Sequence, residues 1–227
     1  MSKVDSYSEK YYSLQECSKN NVKQVYPKEI IEIVKALPKN ANILDSGGGI
    51  GNFCKFVHDI RPDINLNIID IGDLIEKVPS YVKFYQASVY ECPFDDGSFD
   101  LVFSSHVLEH LYDPVKFMKE AYRLIRPKGL IFIIVPYYKT MFAPDGPSNF
   151  FWDYTHIRLY SIMSIKRLLF DYSFINIKVK LSDRNMRSLL IAPWLLIKYI
   201  FLSDKSAGTT LFLAIFGSEV IGIGQKQ

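Results

Sequence analysis

The segment Asn42-Ile43-Leu44-Asp45-Ser46-Gly47-Gly48-Gly49-Ile50-Gly51 constrains this chain more than any other. A short apolar run ends in an acid, passes into a glycine cluster and opens onto the amphipathic stretch Asn52–Asp59. That order reads as strand, tight turn and helix. Glycines admit positive φ and let a ligand approach the backbone where any Cβ would clash. The helix start that follows offers unpaired N–H groups to a polar or anionic ligand. A dinucleotide fingerprint, GxGxxG, counted from Gly47 and Gly49 requires glycine or alanine where Asn52 stands. The spacing present is D-x-G-x-G-x-G, on Asp45, Gly47, Gly49 and Gly51. Asp70 closes the next apolar run, Leu66–Ile69, where an acid can accept hydrogen bonds from a ribose diol, and Ile71 behind it is placed to pack on an adenine.

Around this segment the hydrophobic pattern alternates between short apolar runs and helical periodicity. Strands are expected at Ile43–Leu44, Leu66–Ile69, Val82–Tyr85, Phe99–Ser104, Leu130–Val135, Phe174–Val179 and Val220–Ile223. Helices are expected at about 5–17, 27–37, 52–59, 113–125 and 161–172. Asp113 and Pro114 give the fourth of these a capping residue and a first-turn proline. Leu130–Val135 is apolar on both faces, which suits the centre of a parallel sheet covered by helices. The fold class is therefore α/β: a Rossmann-like, doubly wound, mostly parallel seven-stranded sheet with helices on both faces.

With 227 residues the chain is expected to form one domain. Residues 1–40 would be a helical cap, 41–136 a cofactor-binding core, and 137–227 an acceptor-side region carrying an apolar insertion. The 48% hydrophobic and 22% charged content excludes wholesale disorder. A formal charge of only +3, with no basic block, argues against a nucleic-acid partner. Three widely spaced cysteines, Cys17, Cys54 and Cys92, fit a reduced, cytoplasmic chain without a structural metal. The polar N-terminus shows no signal-peptide core, and no apolar run reaches 18 residues.

Several further stretches follow in a fixed order. They are Cys92-Pro93-Phe94-Asp95-Asp96-Gly97-Ser98-Phe99-Asp100-Leu101-Val102, Ser104-Ser105-His106-Val107-Leu108-Glu109-His110-Leu111, and Arg126-Pro127-Lys128-Gly129. Together with the glycine segment, this series from Asn42 to Val135 resembles class I S-adenosylmethionine-dependent methyltransferases of the small-molecule branch. The resemblance implies S-adenosylmethionine as methyl donor. It places Asp45, Gly47, Gly49, Gly51, Asp70, Ile71, Ser88, Val89, Ser105 and His106 around the cofactor, with Asp45 near its amino group. Ser88 stands where such proteins usually carry an aspartate that bonds the adenine amino group, and Lys128 replaces a glycine of the turn.

The acceptor side rests on Phe150-Phe151-Trp152-Asp153-Tyr154-Thr155-His156-Ile157-Arg158-Leu159-Tyr160. This is similar to a segment of methyltransferases found with bacterial surface-polysaccharide synthesis, and implies O-methylation of a sugar or surface-glycan precursor. His156, Asp153 and His106 are the candidate catalytic residues, since an oxygen acceptor benefits from a base titrating near neutrality. The opposing reading is that Asp153 and His156 only pin the loop or cap the next helix. His106 and His110 stand at the spacing of a helical pair of metal ligands, but no third ligand is evident and no metal is expected. Leu189–Leu202, with Leu211–Phe216, reads either as helix packed on the sheet or at a dimer face, or as a peripheral membrane contact too short to span. It leaves open an apolar acceptor such as a quinone, and the Ser88 departure leaves open a non-catalytic binding protein.

Overall fold

The computed structural model describes residues 26–144, 146, 148–182 and 190–227. The expected helix at 5–17, Cys17 and the first residue of the apolar run, Leu189, lie outside the described residues. The remainder is helix α1 (Lys28–Ala36), β1 (Asn42–Ser46), α2 (Asn52–Ile60), β2 (Asn65–Asp70), β3 (Lys83–Gln86), β4 (Phe99–Ser105), α3 (Pro114–Leu124), β5 (Ile125–Pro136), α4 (Ile162–Asp171), β6 (Phe174–Leu181), α5 (Ala192–Phe201), α6 (Lys205–Phe216) and β7 (Glu219–Lys226). All seven expected strands form one sheet, in the order β3-β2-β1-β4-β5-β7-β6. The first five run parallel, and β7 enters antiparallel between β5 and β6.

Strand periodicity distributes the apolar side chains to both faces. Leu101 and Phe103 of β4 pack with α1 and α2, through Ile30, Val34, Phe53 and Val57. Val102, between them, packs with α3 and α4 through Phe117, Met118, Ile165 and Leu169. Phe53 stacks on Phe103 with ring centroids 3.7 Å apart, so α2 rests directly on the strand beside its own. That contact fixes the helix whose start carries the glycine turn.

Two boundaries differ from the sequence pattern. Strand β5 starts at Ile125, which pairs with Phe99, and resumes at Leu130 opposite Leu101, the register shifting between them. Here Arg126 pairs with the buried Asp100, whose other carboxylate oxygen accepts from the Asn42 N–H at 2.8 Å. Strand β7 continues to Lys226 because Gly224, Gln225 and Lys226 keep pairing partners on β5 and β6, which their side chains do not announce.

The turn at Lys128 adopts φ +66°, the left-handed conformation that glycine takes without steric cost. Its carbonyl accepts from Gln225 Nε2 at 3.0 Å, a bond that needs no side chain at 128. Lys128→Gly is therefore expected to stabilise the fold by about 0.5–1 kcal/mol, read as a rise in unfolding midpoint of about 2 °C.

Candidate functional site

The glycine turn leaves the carboxyl end of β1, at the edge of a crevice that α/β sheets use for ligands. Gly47, Gly49 and Gly51 hold φ values of +75°, +53° and +82°. A Cβ at Gly47 would lie 2.4 Å from Val107 Cγ2, so the turn also presses against the segment following β4. Gly48 has ordinary φ, yet a Cβ there would stand 2.6 Å from the Asp45 carboxyl carbon. The turn thus folds directly over Asp45, and Gly48, the middle glycine of the cluster, is set by contact alone. The D-x-G-x-G-x-G spacing does not single it out.

Asp45 is 3% exposed, and Asp70, at the end of the neighbouring strand, 5%. Gly49 N–H donates to Asp70 Oδ2 at 3.0 Å and Gly72 N–H to Oδ1 at 2.9 Å. These bonds draw the acid and the glycine turn to one mouth. Burial first, then the charge of Asp70, pushes Asp45 up to about 8. A buried carboxyl held up in this way accommodates a cationic group. Ile71, next to Asp70, leaves 54% of its surface open on the rim. Val89 is buried, whereas Ser88 Oγ accepts from Tyr90 N–H at 3.2 Å and is engaged in its own turn.

Ser105 ends β4, and His106 follows at φ +56°. His106 and His110 are therefore not a helical pair: the chain turns at His106, and only Leu108–His110 forms a 3-10 turn. The expected i, i+4 arrangement is corrected by this backbone reversal. The His106 ring instead lies between two carboxylates, Nδ1 3.2 Å from Glu109 Oε1 and Nε2 3.0 Å from Glu219 Oε1. Partial burial opposes its charge, but the bonds to Glu109 and Glu219 outweigh it and push His106 up to about 10. Carboxylates accept only, so both ring nitrogens donate and His106 is an imidazolium at neutral pH.

The 150–160 loop folds back over this end of the sheet. Ile157 N–H and Arg158 N–H donate to the Glu109 carbonyl at 2.9 and 3.2 Å. Arg158 also reaches the Tyr112 carbonyl at 3.3 Å. Asp153 Oδ1 accepts from both Thr155 N–H (2.9 Å) and Thr155 Oγ1 (2.6 Å), so it pins the loop. Burial raises the Asp153 carboxyl, but these bonds outweigh it and hold it below its usual range. The next helix is capped by Ser161 and not by Asp153 or His156. His156 Nδ1 lies 2.6 Å from the Phe150 carbonyl, and its ring centroid 4.7 Å from that of His110. Trp152 and Tyr154 are exposed, while Phe150 is buried. Glu109 and Thr155 stand next to these histidines in sequence, yet they escape sequence reasoning because the bond that joins Thr155 to His110 spans 45 positions. Glu219, at the start of β7, meets His106 only through the sheet order.

A family profile described as a methyltransferase domain matches residues 19–179, well over half of the chain. The chain belongs to the methyltransferase domain family. The relatives described next are not named as polysaccharide enzymes. A probable S-adenosylmethionine-dependent methyltransferase of Mycobacterium tuberculosis is 35% identical over 98 residues, 42% of this chain and 34% of that protein. Ajmaline N-methyltransferase of Rauvolfia serpentina is 33% identical over 120 residues, 48% of this chain and 40% of its own. A ubiquinone/menaquinone biosynthesis C-methyltransferase of Vibrio vulnificus is 27% identical over 150 residues, 61% and 57%. The chain thus spans between about a third and three fifths of these relatives' lengths. The fold is also that of phosphoethanolamine N-methyltransferase 2 of Haemonchus contortus, solved with S-adenosyl-L-methionine (TM-score 0.64, 17% identity, 88% of this chain and 51% of that one). S-adenosylmethionine is the cofactor of the family.

Proposed function

We propose that this domain binds S-adenosylmethionine over the glycine turn and transfers its methyl group to an oxygen of a small, sugar-type acceptor. The observation that carries the first half is the bond from Gly49 N–H to Asp70 Oδ2, with Asp45 buried directly beneath the turn. Asp70 meets the ribose hydroxyls, Ile71 and Val89 the adenine, and Asp45 the amino group. Ser88 has its hydroxyl turned to Tyr90 and so holds the adenine edge weakly. When bound, the donor supplies a methyl group on a sulfonium. The acceptor oxygen would form its bond to that carbon as the carbon–sulfur bond breaks, sulfur keeping the electron pair and the hydroxyl proton passing to water.

The residues of the chain position this displacement. Ser105 and His106 stand where β4 meets the crevice, and the imidazolium of His106 ties β4 to β7 through Glu109 and Glu219. The exposed face of Trp152 and the Arg158 guanidinium offer stacking and donors to a sugar ring. His156, held through Nδ1, meets the acceptor from the loop side. Asp153 acts through Thr155, as a positioning residue. The test is titration with S-adenosylmethionine followed by turnover on sugar and nucleotide-sugar acceptors. Asp70→Ala is expected to weaken donor affinity about 100-fold, by loss of the acceptor pair and of the turn it holds. His156→Ala and Asp153→Asn are expected to lower turnover while donor affinity persists. No saturable donor binding would sink the reading.

A second reading keeps the donor and changes the acceptor to an apolar metabolite reached at a membrane surface. It is favoured by the helical hairpin α5–α6. Among the ten residues of α5 only Leu195 is buried. Ile197, Ile200, Phe201 and Leu202 are exposed, and Lys198 Nζ lies 4.2 Å over the Trp194 ring. No helix among the described residues is long and apolar enough to cross a membrane. The helices pack on each other, with Gly208 against the Tyr199 ring, and α5 leaves its remaining apolar surface outward. An apolar face flanked by tryptophan and lysine suits an interface.

A further inference from the structure

We infer that Glu109, His110 and His156 form a binding site for a divalent transition-metal ion, zinc by preference, with one coordination position left to an oxygen ligand.

One ligand atom from each of the three residues lies within 4.8 Å of the others. The two histidines come from segments far apart in sequence, brought together by the bonds from Ile157 and Arg158 N–H to the Glu109 carbonyl. The hydrogen bonds around the rings fix their tautomers. The Phe150 carbonyl only accepts, so His156 Nδ1 carries the proton and its lone pair is on Nε2. The hydroxyl proton of Thr155 goes to Asp153, 2.6 Å away, because a carboxylate accepts. Thr155 Oγ1 then accepts from His110 Nδ1, at 2.8 Å. An imidazole held through one N–H by a carbonyl or a carboxylate-backed hydroxyl, with the other nitrogen turned to the ion, is the outer-shell pattern of protein metal sites.

Glu109 supplies the second, independent observation. Its side chain is 0% exposed. Oε1 accepts from His106, and Oε2 is buried without a hydrogen-bond partner among the described residues. A bare carboxylate oxygen in a protein interior costs roughly 1–3 kcal/mol or more, and a cation relieves that cost. His106, bonded to Oε1, keeps the carboxylate oriented.

Two imidazoles and one carboxylate are a donor set that zinc accepts with a fourth position open. Nitrogen donors disfavour magnesium and calcium, which take oxygen. Zinc ligands at about 2.1 Å stand roughly 3.4 Å apart, so the widest pair closes by about 1.4 Å on binding. The metal site itself is independent of the methyl donor. Giving its open position to the methyl acceptor rests on the reading of methyl transfer above. There His156 meets the acceptor oxygen through the ion and does not act as a free base.

The test uses the chelator-treated protein, titrated with Zn2+ and, for its visible spectrum, with Co2+. The expected result is one ion per chain, a visible band from a low-coordinate Co2+ site, and a rise in unfolding midpoint of about 5 °C at saturating zinc. His110→Gln and His156→Gln, which preserve bulk and polarity, are each expected to weaken binding about 100-fold, and Thr155→Val about 10-fold. His58→Gln, remote from the trio, changes nothing. Circular dichroism and titration with S-adenosylmethionine in the same variants report folding separately. Absence of stoichiometric binding by the wild-type protein, or binding retained by either histidine variant, overturns the inference. Metal binding without donor binding would leave this site standing and remove the methyl-transfer reading.

Discussion

Asp45→Asn is expected to make the protein more stable at pH 8 and far poorer at holding S-adenosylmethionine. Burial and the charge of Asp70 raise Asp45 from its ordinary value of 3.8 to about 8. Between those values the folded chain holds a proton that the unfolded chain has released. The stability tied to this group is therefore fully present below about pH 4, declines as pH rises, and is lost above about pH 8. Asparagine removes the titration and keeps the volume. The unfolding midpoint of the variant at pH 8 should exceed that of the wild type by at least about 3 °C, the gap shrinking as the pH is lowered towards 4. Donor affinity moves the other way. A cationic amino group beside Asp45 favours the carboxylate, so at pH 7 binding should release about one proton, seen by calorimetry in buffers of different ionisation enthalpy. The variant should lose that proton release and about 10- to 100-fold in affinity, the worth of a charged hydrogen bond. Equal midpoints across the pH range, or unchanged affinity, would show that Asp45 titrates normally and lies off the ligand.

The second large effect concerns α5. If the hairpin meets a membrane, the wild-type protein should sediment with anionic phospholipid vesicles. Ile200→Asp combined with Phe201→Asp should then reduce the bound fraction by about 100-fold in partition coefficient, since each apolar side chain removed from water contributes roughly 1.5–3 kcal/mol. These two residues are 58% and 77% exposed, so folding and donor affinity should be untouched. A wild-type protein that stays wholly in the supernatant excludes the membrane reading. Concentration-dependent self-association in its place would assign the face to a second copy of the chain.

The two effects arise at opposite ends of what the sequence makes legible. Asp45 and Asp70 each end an apolar run, and the glycines lie between them, so local order alone places acid, turn and helix on one crevice. Helix α3 is equally local: Asp113 Oδ1 accepts from Lys116 N–H at 2.9 Å, as its cap position and Pro114 imply. The α5 run was visible as apolar, but hydropathy does not say whether such a face is covered. Only the packing of α5 on α6, through Leu195 and the Tyr199 ring, leaves the rest of it open.

Composition and motif order by themselves determined the sheet and its helical layers, because each depends on residues within a few positions of one another. Tertiary structure alone decided the rest. Gly48 is required by the Asp45 carboxylate under it, not by its own φ. His106 turned away from His110, since a positive φ ended the helix that their spacing implied. His110 met His156 and Glu109 because two loop N–H groups fasten the 150–160 segment to the end of β4. Hydrogen bonds between residues dozens of positions apart leave no period in a sequence, and only the folded sheet brings their partners within reach.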